Sequence, residues 1–232
     1  MTNHYVTNQL LDGLSILQRQ VILAQCELIN LTFGDTVCEQ GQPTHFVIYP
    51  LTGFISLVTS SKTEPSLELG LIGNEGMLGV TCSLGQKFAP QKAIVQGSGT
   101  ALRLSEDAFQ QQLKYLPLML KRHNDYLYFL LLQQSQSLVC LRFHQIVPRL
   151  AKWLLMTDDR THGSHFYLTH VFLAQMLGVR RSGITVAAGV LQDKKLISYQ
   201  RGEIAILNRK GLELVTCDCY QLAKADYLRV LN

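Results

Sequence analysis

No stretch of this chain reaches the ~18–20 consecutive apolar residues that a membrane-spanning helix requires. The most apolar run, Tyr126–Leu132, is bounded by Lys121–Asp125 before it and Gln133–Ser137 after it. The N-terminal MTNHYVTNQLLDG lacks the basic start and long apolar core of a secretory signal. A cytoplasmic, non-membrane protein is therefore expected. There is no Cys-x-x-Cys pair among Cys26, Cys38, Cys82, Cys140, Cys217 and Cys219. That argues against a zinc ribbon or finger. Cys217 and Cys219 stand too close in sequence for an ordinary disulfide, and scattered cysteines without an export signal read as reduced thiols. Neither a metal nor another cofactor is expected. Internal repeats and low-complexity segments are missing too. So are a Gly-x-Ser-x-Gly nucleophile elbow and a phosphate-cradling loop. No His-x-His pattern surrounds His45, which leaves a small metal-dependent cupin-like enzyme as a remote alternative. The expectation is that the chain is not an enzyme.

The composition is that of a folded protein. Of 232 residues, 47% are hydrophobic, enough for two modest domains with their own cores. Charge is divided unevenly. Residues 1–141 hold 8 Lys+Arg against 10 Asp+Glu, whereas residues 142–232 hold 13 against 7. The basic half is where a polyanion partner would sit.

Residues 9–30 read as short helices, because Leu14, Leu17, Val21 and Leu28 recur near helical spacing. From Leu31 to Leu104 the pattern changes to short β-rich runs: Val47–Tyr49, Phe54–Thr59, Leu67–Ile72, Ala93–Val95 and Ala101–Leu104. Gly, Pro, Asn and Ser separate them, which suggests a β-sandwich or roll. Residues 60–66, SSKTEPS, read as a hairpin loop. Helix resumes over Asp107–Leu116 with Ser105 as N-cap, and Pro117 opens a long helix to about Leu141. On it, Leu120, Leu127, Gln134 and Leu141 fall seven apart, with Leu130 or Leu131 and Leu138 as a second seam. This is a short coiled-coil pattern that suits a parallel homodimer.

A second unit begins at Phe143. Val147, Leu150, Ala151, Leu154 and Leu155 give one helix face, with Trp153 partly to the side. Thr157–Phe166 reads as a loop, and its His162 and His165, with His170 nearby, read as solvated rather than as metal ligands.

Thr169–Gln192, THVFLAQMLGVRRSGITVAAGVLQ, reads as a helix-turn-helix. Thr169 suits an N-cap, with Leu168 and Leu173 as the staple around it. Gly178 allows the sharp bend. After it, Ile184, Ala187, Ala188 and Leu191 share a core face, while Arg181, Ser182, Thr185, Val186 and Gly189 share the other, with Arg180 just before. One side for a core and one for base edges is what a recognition helix needs. Leu196–Leu207, LISYQRGEIAIL, reads as a hairpin with Gly202 at a positive-φ turn position. It would form a wing presenting Arg201 to phosphate.

On LTHVFLAQMLGV, LISYQRGEIAIL and the preceding IVPRLAKWLLM, the chain resembles the CRP/FNR bacterial transcription regulators. The likeness continues into GDTVCEQGQPTHFVIYPLTGFISLV and GLIGNEGMLGV, which look like that family's β-roll sensor. The resemblance implies an α+β chain in three parts: a double-stranded β-helix (β-roll) sensor over residues 1–116, a dimerisation helix over 117–141 carrying Leu120, Leu127, Leu131, Gln134 and Leu138, and a winged helix-turn-helix over 142–232. It also implies two recognition helices entering successive major grooves of a palindromic double-stranded site, roughly 34 Å apart.

Arg181 is the candidate for bidentate contact to guanine. Ser182 and Thr185 would reach bases or phosphate, and Val186, standing where the family often has Arg, a thymine methyl. Thr169 and His170 lie where backbone phosphate contacts are expected, and Gly183 where backbone could approach DNA closely.

The family's cyclic AMP members hold the ligand with a Gly-Glu turn and an Arg-Ser or Arg-Thr pair before Ala. Here the matching positions read Gly76, Leu78, Gly79 and Val80, then Gln91 and Lys92 before Ala93. Val cannot accept from a ribose hydroxyl, and Lys lacks the guanidinium fork. Gln134 and Ser135 match positions that would reach the base. The expectation is a degenerate pocket that does not take cyclic AMP in the family manner, with any effector unidentified. Cys26 and Cys38 are too sparse for an iron–sulfur site, and Cys82 lacks a neighbouring His for haem. RNA polymerase would be a further partner if the chain activates transcription. A regulator whose DNA domain acts only through protein contacts is the main alternative.

Overall fold

The computed structural model describes residues 7–59, 66–161 and 165–231. They divide into two compact units. The first runs to Leu57 and includes Ile72–Leu130; the second combines Val58–Leu71 with Leu131–Arg229.

The first unit opens on two short helices, α1 (Gln9–Asp12) and α2 (Ile16–Leu23). Asn8 caps α1 by accepting from the Leu10 N–H. Ser15 and Gln18 form a reciprocal capping box at the start of α2. The helical reading does not extend to residue 30, as the spacing suggested. Residues Glu27–Leu31 are strand β1, paired antiparallel from Glu27↔Arg103 to Leu31↔Gly99. Leu17, Val21 and Leu28 are exposed, and the buried residue of α2 is Ile22. A three- and four-residue spacing of leucines persisted by chance into a segment whose backbone is claimed by a neighbouring strand.

The strands that follow are β2 (Thr36–Cys38), β3 (Phe46–Pro50), β4 (Phe54–Thr59), β5 (Leu67–Ile72), β6 (Lys92–Gly97) and β7 (Gly99–Ser105). A 3-10 turn, Val80–Leu84, lies between β5 and β6. They form one sheet in the order β1-β7-β3 and another in the order β2-β6-β4-β5. Leu31, Ile48, Ile55, Leu57, Ile72, Leu78, Ala93, Val95 and Ala101 make a common core. The expected strands over 47–104 are all present; β1 and β2 were not read from sequence. The expected loop over 60–66 falls largely outside the described residues.

Helix α3 (Glu106–Tyr115) starts where Ser105 caps it, accepting from the Ala108 N–H. Helix α4 (Pro117–Phe143) follows after Leu116. Met119, His123, Tyr126, Phe129 and Leu130 on its first half are buried. His123 Nδ1 faces the Met119 carbonyl, which can only accept, so Nδ1 carries the proton and Nε2 accepts from Tyr49 at 2.9 Å. Burial, with Arg122 adding to it, pulls the His123 pKa down to about 4.

The second unit contains α5 (Ile146–Thr161), β8 (His165–Tyr167), α6 (His170–Leu177), α7 (Arg181–Asp193), β9 (Ile197–Gln200), β10 (Glu203–Ile206), α8 (Arg209–Val215) and α9 (Cys219–Leu231). The expected loop over 157–166 is largely absent as such: α5 runs on to Thr161, and His165 enters strand β8. Trp153 is buried rather than sideways. Helix α5 packs on α7 and α8, and α6 packs on α7. Strands β8, β10 and β9 form one antiparallel sheet in that order.

Candidate nucleic-acid interface

Local chemistry sets the two helices at the site. Thr169 caps α6 by accepting from the Phe172 N–H at 3.1 Å. Leu168 and Leu173 are both buried around that cap. Gly178 ends α6 in the left-handed region at φ 60, and its N–H reaches back to the Gln175 carbonyl. Helix α7 then buries Ile184, Ala187, Ala188 and Leu191. Its other side carries Arg181, Ser182, Thr185 and Val186, all exposed, with Arg180 exposed just before. Val186 is 67% exposed.

Arg180 occupies the N-cap position of α7 but supplies no capping hydrogen bond. The Gly183 N–H bonds the Arg180 carbonyl, and the positive end of the helix dipole with two adjacent arginines is a combination that favours an anion. Gly183, by contrast, is turned inward. A Cβ there would lie 2.8 Å from Ile146 Cδ1, so this glycine lets α7 approach the start of α5. Gly189 has nothing within 4 Å of its would-be Cβ.

His170 and Thr185 meet across the two helices. Thr185 Oγ1 lies 3.0 Å from His170 Nδ1 and 3.2 Å from the Arg181 carbonyl. The carbonyl must accept, so the hydroxyl donates to it and accepts from His170. The imidazole also leans on Tyr199, ring centroids 4.5 Å apart, and Tyr199 donates its hydroxyl to the Leu168 carbonyl at 2.8 Å. Burial, helped by the Arg181 charge, lowers the His170 pKa. His170 thus braces Thr185 of α7 from α6, with its Nε2 buried and without a hydrogen-bond partner among the described residues. Its ring is not presented as a free phosphate contact. Thr169 stays exposed beside it.

The wing is a two-residue hairpin. Gln200 pairs with Glu203, and both turn residues take positive φ: Arg201 at 52 and Gly202 at 90. That is the type I′ geometry that suits the twist of a hairpin. Arg201 stands exposed at its tip. The Tyr167 ring occupies the space a Cβ on residue 202 would need, at 2.6 Å, so β8 fixes the wing from its flank. The sequence reading named the hairpin but not this third strand.

In the first unit the residues matched to an effector pocket are largely spoken for. Leu78 and Val80 are buried, Val80 just after Gly79, which adopts φ 85. A Cβ on Gly76 would collide with the Tyr126 hydroxyl. Lys92 pairs with Glu39 at 2.9 Å, and Gln91 is half-buried. Gln134 and Ser135 belong to the other unit; Ser135 donates to its own helix at the Leu131 carbonyl, 2.9 Å away.

Of the histidines near the loop, His162 lies outside the described residues. A different group of side chains was missed from sequence altogether. Cys140, His144, Cys217 and Cys219 converge in the second unit, although two pairs more than 70 residues apart supply them. Their signal was the four-residue Cys140–His144 spacing at a helix end together with Cys-x-Cys at 217–219.

Two family models match the chain. Residues 28–115 match the cyclic nucleotide-binding domain, and residues 148–215 match the Crp-like helix-turn-helix domain. The chain belongs to the CRP/FNR family of transcription regulators. Within this CRP/FNR protein, the β1-β7-β3 and β2-β6-β4-β5 sheets fall almost wholly in the first match, and α6, α7 and the wing in the second. The fold is shared with FixK2 from Bradyrhizobium japonicum at 12% identity and a TM-score of 0.70, over 83% of this chain and 98% of that one. It is also shared with CLP, the c-di-GMP-responsive global regulator of Xanthomonas campestris, at 17% identity and a TM-score of 0.66, over 82% and 97%. A third relative in fold is a CRP/FNR regulator from Thermus thermophilus, at 21% identity and a TM-score of 0.63, over 82% and 97%. Among curated proteins, none matches the sequence. No helix among the described residues is long and apolar enough to cross a membrane.

Proposed function

We propose that this CRP/FNR chain is a cytoplasmic, non-enzymatic regulator that binds a palindromic DNA site as a homodimer. The observation that carries this reading is the two-sided character of α7. One side buries Ile184, Ala187, Ala188 and Leu191, and the other leaves Arg181, Ser182, Thr185 and Val186 exposed. In this reading Arg181 forks onto guanine, Ser182 and Thr185 reach bases or phosphate, and Val186 meets a thymine methyl. Arg180, Thr169 and Arg201 hold phosphates, and His170 acts by holding Thr185.

Helix α4 supports the dimer. Leu131 and Leu138 are 57% and 65% exposed at heptad spacing, and Leu120, Leu127 and Gln134 are half-buried along the same seam. Leu130 is buried and does not share that role. The functional parts are then residues 1–116 as sensor, 117–141 as dimer helix and 142–232 as DNA domain, with RNA polymerase a partner if the protein activates.

The sensor does not take cyclic AMP in the family manner. Supporting this, Val80 is buried where a ribose-binding carboxylate is needed, and Lys92 faces the protein's own Glu39. Any effector is a different small molecule.

The test is fluorescence anisotropy of the purified protein on a palindromic site selected from random DNA, repeated across salt. Specific binding should weaken by about 10³-fold or more between 50 and 200 mM salt, as phosphate counterions are released. Affinity that is flat in salt and indifferent to sequence overturns the reading and favours a regulator acting through protein contacts.

A further inference from the structure

Cys140 closes the last turn of α4, and His144 follows that helix; Cys217 and Cys219 flank the turn between α8 and α9. Their ligand atoms all lie within 4.8 Å of one another. Cys140 Sγ and Cys217 Sγ are 3.6 Å apart, and Cys219 Sγ is 3.3 Å from His144 Nδ1. A zinc ion holds sulfur at about 2.3 Å and imidazole nitrogen at about 2.0–2.1 Å, so a tetrahedral site has S···S edges of about 3.8 Å and S···N edges of about 3.5 Å. The Cys140–Cys217 and Cys219–His144 edges are within about 0.2 Å of these lengths, and the other edges are no longer than 4.8 Å. They are far beyond the ~2.05 Å of a disulfide.

The surroundings also have the form of a metal site. His144 turns Nδ1 toward the sulfurs, and its Nε2 lies 3.7 Å from the Asp218 carboxylate. A carboxylate behind the imidazole is the usual means of fixing a ligating histidine's tautomer. Gln136 Nε2 donates to Cys219 Sγ at 3.0 Å. Three thiolates around a divalent ion leave one net negative charge. Two cations on α5, Lys152 and Arg149, are buried and bear electrostatically on the cysteines. Arg149 also donates to the Leu177 carbonyl.

We propose that Cys140, His144, Cys217 and Cys219 bind one zinc ion in a closed, structural Cys3His site. All four positions belong to the protein, so none is left for substrate or water. The ion ties the end of α4 to the α8–α9 turn. It thereby fixes the C-terminal helices against the helix junction that precedes the DNA-binding fold. The site is independent of whether the chain binds DNA.

The full-length protein, purified with reductant and without chelator, should carry about one zinc per chain by elemental analysis. The double variant Cys217→Ser/Cys219→Ser should lose it, while Cys26→Ser and Cys38→Ser, on cysteines outside the cluster, should retain it. The wild-type chain stripped of metal and given cobalt should show thiolate charge-transfer and tetrahedral d–d bands that zinc then abolishes. This readout does not depend on the variants folding. The proposal is overturned if stripped wild type takes up neither zinc nor cobalt with all its thiols reactive. It is also overturned if Cys140 and Cys217 are found as a disulfide in protein prepared without oxygen, or if the folded double variant keeps its zinc.

Discussion

Thr185 Oγ1 stands 3.0 Å from His170 Nδ1, so the side chain expected to read DNA is held by the first helix of its own motif. Burial and the Arg181 charge lower that imidazole's pKa. In an NMR titration, the His170 midpoint should fall below that of a free imidazole. Removing the second cause, with Arg181→Ala, should move it upward. An unchanged midpoint in that variant would separate Arg181 from His170.

Arg181 and Arg201 should fail differently. Arg181→Ala is expected to cost about 1–3 kcal/mol at one base pair of each half-site and to relax the preference there. Arg201→Asn keeps a residue tolerant of positive φ at the wing tip. It should weaken binding to all sequences alike and reduce the salt slope by about one for each phosphate the wing no longer neutralises. Competition against every single-base variant of the site distinguishes the two.

Leu131 and Leu138 offer a test of the dimer that spares the monomer's core, because both are largely exposed. Leu131→Glu with Leu138→Glu should give a folded chain that sediments as a monomer. Its affinity for the palindrome should fall by roughly 10²-fold or more, since the second half-site no longer binds within the same complex. A variant that remains dimeric removes α4 as the seam.

Gly189→Ala should stabilise the second unit by up to about 1 kcal/mol, the helix-propensity difference, because open space awaits the methyl group. Gly183→Ala should gain less or lose, since Ile146 must give way. Thermal unfolding of the two variants, side by side, measures the difference.

His123 makes the first unit acid-sensitive. Its pKa is about 4 in the fold against an ordinary 6.5, so the unfolded chain binds the extra proton between those values. Stability therefore falls as pH drops from 6.5 toward 4, by about 1.4 kcal/mol per pH unit and about 3 kcal/mol in all. Below pH 4 this contribution levels off. In His123→Gln that part of the pH slope should vanish from denaturant unfolding curves.

The motif that names the family was legible because its determinants are local. Thr169, Gly178, and the four buried residues of α7 act within a few residues of one another, and Gly202 marks its turn by its freedom to take positive φ. The same holds for the cap at Ser105 and for the strands at 54–59 and 67–72. Tertiary structure decided the rest. Residues 27–31 became strand because β7 offers them a ladder, against a leucine spacing that read as helix. Gly183 serves a neighbouring helix, a fact that depends on where Ile146 arrives. Cys140 and Cys217 are 77 positions apart, and only folding brings their sulfurs together. Caps and turns are energies of short segments, which a sequence spells out. Strand partners and side-chain clusters are energies of encounter, and the chain's path has to be known before they exist.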